Sequence, residues 1–192
     1  ATPLTKYRRH VLMLHPHTVI VYDELEASEA VRWEWLLHSP TEFKMDVTKK
    51  TLSTNNKTQG WVAVTRLFGG HVFTLSQTDR FVVPPAITGA EYPNQWHLTA
   101  RVDGCSATRF LAIIQVGDEA VPIINRDGDT FNVGDWTIKA VLDASKVPEL
   151  AVSHRTEQAV FSYGTDNPAL NGNFYSRQYT GSSLLYVEID GA

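Results

Sequence analysis

The chain is poor in the features that decide function from sequence alone. It has one cysteine, Cys105, in 192 residues, so no intrachain disulfide can staple the fold. No apolar run approaches the roughly 18 residues that a membrane-spanning helix needs. Basic residues never run beyond the pairs Arg8-Arg9 and Lys49-Lys50, and the net charge is −4. That balance leaves no electrostatic footprint for nucleic acid, and an acidic polymer would need a local basic patch. Helical periodicity is missing too: no long window repeats its apolar residues every 3.6 positions. The nucleophile elbow, the zinc-protease pair, the phosphate loop and the dinucleotide fingerprint are all absent. The opening Ala1-Thr2-Pro3-Leu4-Thr5 carries neither a Met nor a signal-like apolar region, as expected of a linker remnant on an excised domain.

What is present is an all-β pattern. With 43% apolar and 20% charged residues, the composition is that of an ordinary globular chain able to bury a core. Its length suits one domain spanning 1–192. The organising stretch is Tyr7 to Leu25, where the apolar runs Val11–Leu14 and Val19–Tyr22 are broken by His15-Pro16-His17. The runs are too short for helices and rich in residues that favour a pleated surface. Pro16 cannot donate to a ladder, so it belongs at the turn of an antiparallel hairpin. Neither run alternates strictly, which predicts cover on both faces.

Further strands follow at short intervals. After a polar turn at Glu26–Ala30, the stretch Val31–His38 alternates, with Val31, Trp33, Trp35 and Leu37 on one face and Arg32, Glu34 and His38 on the other. Short strands are expected at Glu42–Val47 and Thr51–Thr54. Trp61–Phe68 and His71–Thr78 flank Gly69-Gly70, which suits a two-residue hairpin turn. Trp96–Val102 and Thr108–Val116 flank Asp103-Gly104, and Val121–Asn125 and Thr130–Val133 flank Arg126-Asp127-Gly128. Trp136–Leu142, Leu150–Arg155, Gln158–Tyr163 and Ser183–Asp190 complete the set. About fourteen short strands with frequent turns predict an antiparallel multi-stranded β-sandwich, supersandwich-like in extent. The single long insert, Val82–Asn94, carries Pro84, Pro85, Gly89 and Pro93. Such loops often serve function.

Three groups of residues invite a chemical reading. His15 and His17 fall at the turn, where solvated rings are expected rather than a metal. His10, Asp23 and His38 form a sharper trio. A turn near Pro16 places His10 across from Tyr22 and beside Asp23, and nitrogen and carboxylate ligands would suit zinc. The competing expectation is a buried polar network in which Asp23 satisfies Arg9 or His10. For glycan contact, Arg80 precedes the long loop while Tyr92, Trp96 and His97 border it. Aromatic faces cover the apolar side of a sugar ring, and Arg grips carboxylate or sulfate through two hydrogen bonds. The alternative has Trp96 packed inward and Arg80 paired with a carboxylate.

The hairpin R-R-H-V-L-M-L-H-P-H-T-V-I-V-Y-D-E-L, followed by W-E-W-L-L-H-S, resembles the C-terminal β-region of heparinase II/III-like polysaccharide lyases. The later F-L-A-I-I-Q-V-G and the closing S-S-L-L-Y-V-E-I-D-G are similar to that region as well. The resemblance implies a domain cut from a larger lyase that eliminates across uronate-containing polysaccharide, partnered by an N-terminal helical toroid of the same polypeptide. In that family the catalytic Tyr, the catalytic His and the metal ligands lie upstream. The expectation is therefore no catalytic residue, no metal and no cofactor in this chain, and a structural or cleft-wall role without activity on its own. Export to the periplasm or cell exterior is also implied. A competing expectation is an autonomous carbohydrate-binding β-sandwich, supported by five Trp and seven Tyr. A metal-containing β-barrel enzyme built on His10, Asp23 and His38 is a third. A detached domain should expose one large apolar patch where its partner docks, whereas an autonomous module should show an aromatic groove.

Overall fold

The computed structural model describes residues 3–56, 60–81, 94–117, 121–156, 160–164, 174–179 and 182–187. These contain fourteen strands and no helix, and every strand pairing is antiparallel. The all-β sandwich class is what the turn spacing predicts. The chain divides into two compact units, Ala1–Val121 and Pro122–Ala192.

The first unit is one sheet of seven strands: β1 (Leu4–Leu14), β2 (Thr18–Ser39), β3 (Lys44–Asp46), β4 (Thr51–Asn56), β5 (Trp61–Gly69), β6 (Thr74–Thr78) and β7 (Trp96–Gly117). Their order is β1-β2-β7-β5-β4-β3, with β6 also on β7. The axis is the ribbon made by β2 and β7, each 22 residues long. Its register shifts between Glu26 and Val31 and again between Val31 and Trp33. Extra residues on one strand of a pair bend it and increase its twist. The ribbon therefore has a lower half, 18–26 against 107–115, and an upper half, 33–39 against 96–102. Gly104 sits in the bend with φ of +73°, a conformation that costs other residues.

The bend lets the sheet close on itself. Trp33, Trp35, Leu98, Ala100 and Val102 from the upper half share a buried cluster with Leu25, Phe110 and Ala112 from the lower half, and with Leu52, Leu67 and Phe73. Two faces of one continuous sheet thus form the sandwich core. Each fully buried large side chain contributes roughly 1.5–3 kcal/mol through burial. The inward Trp33 and Trp35 agree with the alternation read from sequence.

Several expectations change. Asp103-Gly104 and Glu26–Ala30 are not chain reversals but the two sides of the bulged bend, so four predicted strands merge into two long ones. Gly69-Gly70 is not a hairpin turn either. β5 pairs with 110–117 of β7 and β6 with 97–101, so they take different halves of the same partner. At Gly69 an added Cβ would meet Phe73 Cδ1 at 3.0 Å, so close packing explains that glycine. The β1–β2 hairpin forms as expected, with His10 across from Tyr22 and Arg9 across from Asp23. β1, however, is an edge strand, and Val11 and Met13 lie open on one face where cover was expected.

The second unit is a meander. β8 (Ile124–Asp127), β9 (Thr130–Val133), β10 (Trp136–Ala140), β11 (Leu150–His154) and β12 (Val160–Tyr163) lie in chain order across a five-stranded sheet. The β8–β9 turn is tight, with Asp127 paired to Thr130 and Gly128 at φ of +58°. A buried cross-strand row runs Phe131, Ile138, Val152, Phe161. β13 (Phe174–Tyr179) and β14 (Ser182–Val187) form a separate hairpin. The sequence reading had a strand for β14 but none for β13.

Candidate functional site

The far end of the upper half of the ribbon carries one candidate glycan residue, His97, among other rings. His38 of β2 pairs with His97 of β7, and His97 pairs on its other side with Thr78 of β6. Three strands in register thus bring these residues side by side on the face away from the core. The two imidazole rings lie 4.5 Å apart between centroids, tilted by 40°. Phe81, partly exposed just beyond β6, meets the His97 ring edge-on at 4.9 Å. Thr99 and Leu36 continue this outer face one pair further down the ribbon, with Ser76 beside Thr99 on β6. The surface is a small set of rings fringed by hydroxyls, the combination that covers one side of a sugar and hydrogen-bonds its edge.

Each sequence candidate has a definite place except Tyr92, which lies outside the described residues. Arg80 is exposed, with its backbone N–H held by Thr78 Oγ1 at 3.1 Å. Among the described residues no ion pair engages its guanidinium. His97 is half-buried in the ring cluster. Trp96 pairs with Ser39 and packs against the sandwich core, so it is turned to the opposite face from His97. Alternation along a strand requires that separation. The partners that sequence reasoning did not assign to this place are Phe81 and His38. Strand register places His38, and Phe81 follows from the course of the chain just beyond β6.

The trio of His10, Asp23 and His38 is not brought together. Arg9 binds Asp23 through two parallel hydrogen bonds, Nε to Oδ1 at 2.6 Å and Nη2 to Oδ2 at 2.8 Å. Hydrogen bonding to that carboxylate holds the Arg9 guanidinium above its ordinary pKa despite partial burial. His10 lies on the other face of β1, 3.8 Å from Glu24 Oε1, while Lys6 Nζ reaches Glu24 Oε2 at 2.8 Å. Two buried carboxylates are thereby matched by cations from the edge strand. His38 stands in the upper half with His97. His15 and His17 are exposed at the turn. No group of three or more metal-type side chains forms among the described residues.

A second surface lies at the turn end of the ribbon. Val11 pairs with Val21, Met13 with Val19, and Val19 with Ile114, so these apolar residues share one face across three strands. Val11 and Met13 are 62% and 72% exposed and Val116 extends the strip, while Arg9, ion-paired to Asp23, separates it from exposed Tyr7. Side by side, they make an apolar band rather than scattered single residues. No helix of the described residues is long and apolar enough to cross a membrane.

No protein-family model matches the chain, and no curated protein matches it by sequence. Solved structures do match by fold. A heparinase III gene product with methylated lysines superposes with a TM-score of 0.58 at 14% identity, covering 86% of this chain and 24% of that one. A second structure of a heparinase III gene product gives 0.53 at 14% identity, over 83% of this chain and 24% of that one. At this identity the likeness is one of fold. The chain spans about a quarter of the length of these structures.

Proposed function

We propose that this chain is the C-terminal β-sandwich domain of a heparinase II/III-like polysaccharide lyase, non-catalytic alone, serving as structural partner and cleft wall. One observation carries the reading: most of this chain takes the fold of one quarter of the heparinase III structures. The hairpin and Trp-Leu-Leu-His stretch that prompted the resemblance lie on β1 and β2, and β2 is one strand of the long ribbon. Elimination next to a uronate carboxylate needs a base, an acid for the leaving oxygen and a group neutralising the carboxylate. The described residues offer isolated pieces of this set, and the buried carboxylates Asp23 and Glu24 are already matched by Arg9 and Lys6.

The apolar band on β1, β2 and β7 supports docking against the helical catalytic domain of the same polypeptide, since monomers rarely leave such bands open. The ring cluster at His97, with Arg80 next in sequence to its Phe81, supports contact with acidic polysaccharide. Trp96 then acts from behind, by fixing the strand that presents His97. Export to the periplasm or beyond follows from where such polymers are found. The competing autonomous module is favoured by the same rings, but the apolar band is left without purpose on that reading. The test is an assay of the isolated chain on heparan sulfate and alginate, following the ultraviolet absorbance of an unsaturated uronate. No turnover is expected. Turnover would overturn the non-catalytic role.

A further inference from the structure

Four arginines in the described residues, Arg9, Arg32, Arg101 and Arg155, each meet an aspartate. Arg66 does not. Its Nη1 donates at 2.7 Å to the neutral amide oxygen of Gln115. Gln115 is almost wholly buried, so its amide is a fixed post rather than a mobile surface group. The electrostatic consequence has the opposite sign from the paired arginines. Hydrogen bonds to aspartate raise Arg9 and Arg101, whereas burial lowers Arg66 with nothing to offset it.

The setting explains why. Arg66 lies inside β5, between Thr51 of β4 and Ile113 of β7, with Val64 and Phe68 beside it on the same face. None of these neighbours is acidic. Holding a cation partly out of water without a counter-ion is costly, and a nearby carboxylate would be the simple remedy. A guanidinium carries five N–H donors in a fixed fork, and Gln115 takes one.

Resting on the lyase-domain reading above, we propose that Arg66, oriented by Gln115, is an oxyanion-binding residue that receives the carboxylate or sulfate of an acidic glycan. The open part of the fork matches either group through two parallel hydrogen bonds.

Arg66→Met tests this, because it keeps most of the side-chain length and removes only the cation and its fork. Thermal unfolding is followed in sulfate or glucuronate against chloride at matched ionic strength. The native chain should gain stability with either oxyanion, and R66M should show no gain. In chloride alone R66M should melt close to the native chain, since a half-buried cation without an acidic match and its one hydrogen bond to Gln115 are lost together. An equal oxyanion response in both chains would overturn the proposal. Should R66M fail to fold, Arg66→Lys retains charge without the fork. A several-fold weaker response in R66K supports the site, and an unchanged response refutes it. Heparin oligosaccharide then separates the two readings. Loss of the small-anion response in R66M, with no acidic polysaccharide bound by the native chain, keeps the oxyanion site and removes its assignment to an acidic glycan. Equal polysaccharide binding by native and R66M chains removes the site at Arg66 and keeps the lyase reading.

Discussion

The two halves of the long ribbon are built from the same strands and put to different use. In the lower half both faces carry buried side chains, Ile20, Tyr22, Leu111 and Ile113 on one and Asp23, Phe110 and Ala112 on the other, and only the turn end leaves the apolar band of Val19, Val21 and Ile114 partly open. Its charges are matched at short range, Arg9 to Asp23 and Lys6 to Glu24. In the upper half only the inner face is closed, by Trp33, Trp35, Leu98 and Ala100, while His38, His97, Leu36 and Thr99 line the outer one. A strand pair buried on both faces has no free side chain to offer a ligand. One buried on a single face can devote every second residue to chemistry. Arg66 stands out in this comparison as a cation beside the lower half that lacks an acidic match.

The largest test of this contrast is Phe110→Ala. Phe110 is fully buried in the shared cluster and meets Phe73 edge-on at 6.1 Å. Its loss should cost about 3–5 kcal/mol in denaturant unfolding. Leu36→Ala, on the outer face of the upper half, should stay within about 0.5 kcal/mol. Equal losses would erase the distinction between the halves. Next in size is Arg9→Ala, which strands a buried aspartate. The Arg9 side chain is partly hydrated, so the expected loss is about 2 kcal/mol, below the range for a fully buried pair. A neutral result would mean that Asp23 is matched by another group.

Smaller effects report on the bend and the outer face. Burial pushes the Cys105 thiol above its ordinary value, partly offset by its contact with Trp33. Less thiolate is then present at mildly alkaline pH, so labelling by a disulfide reagent should be several-fold slower than for a free thiol. Full-speed labelling would show that the bend opens readily. On the outer face Asp103 is held below the usual carboxylate range, first by the Arg101 hydrogen bond and then by Arg32. A lowered acid contributes above its unfolded value of about 4, and the contribution is lost as pH falls through the folded value. The Asp103 carboxyl resonance should therefore titrate below that of an unpaired aspartate, and Arg101→Ala should move it upward. No movement would place the cause elsewhere.

Much of this architecture is legible in the residues, and its gaps share one cause. Pro16 marks the hairpin turn, which fixes His10 against Tyr22, and the alternation of Trp33 and Trp35 fixes their inward face. The two 22-residue strands are not legible, because a bulge and a chain reversal draw on the same residues. Glu26–Ala30 and Asp103-Gly104 each resemble a turn, and only the register shifts between the two strands show a single bend. The site has the same character. Arg80 and His97 are marked by the adjoining long loop. Trp96 goes to the other face by strand alternation, His38 joins His97 through register, and Phe81 reaches the same ring from the residues after β6.

The most direct measurement is a backbone NMR titration of this chain with an acidic oligosaccharide. The account predicts shifts concentrated on the outer face of the upper half, at Thr78, Phe81, His97, Thr99 and His38, with a separate response at Arg66. Shifts confined to the closed lower half, or none at the His97 face at saturating ligand, would contradict it.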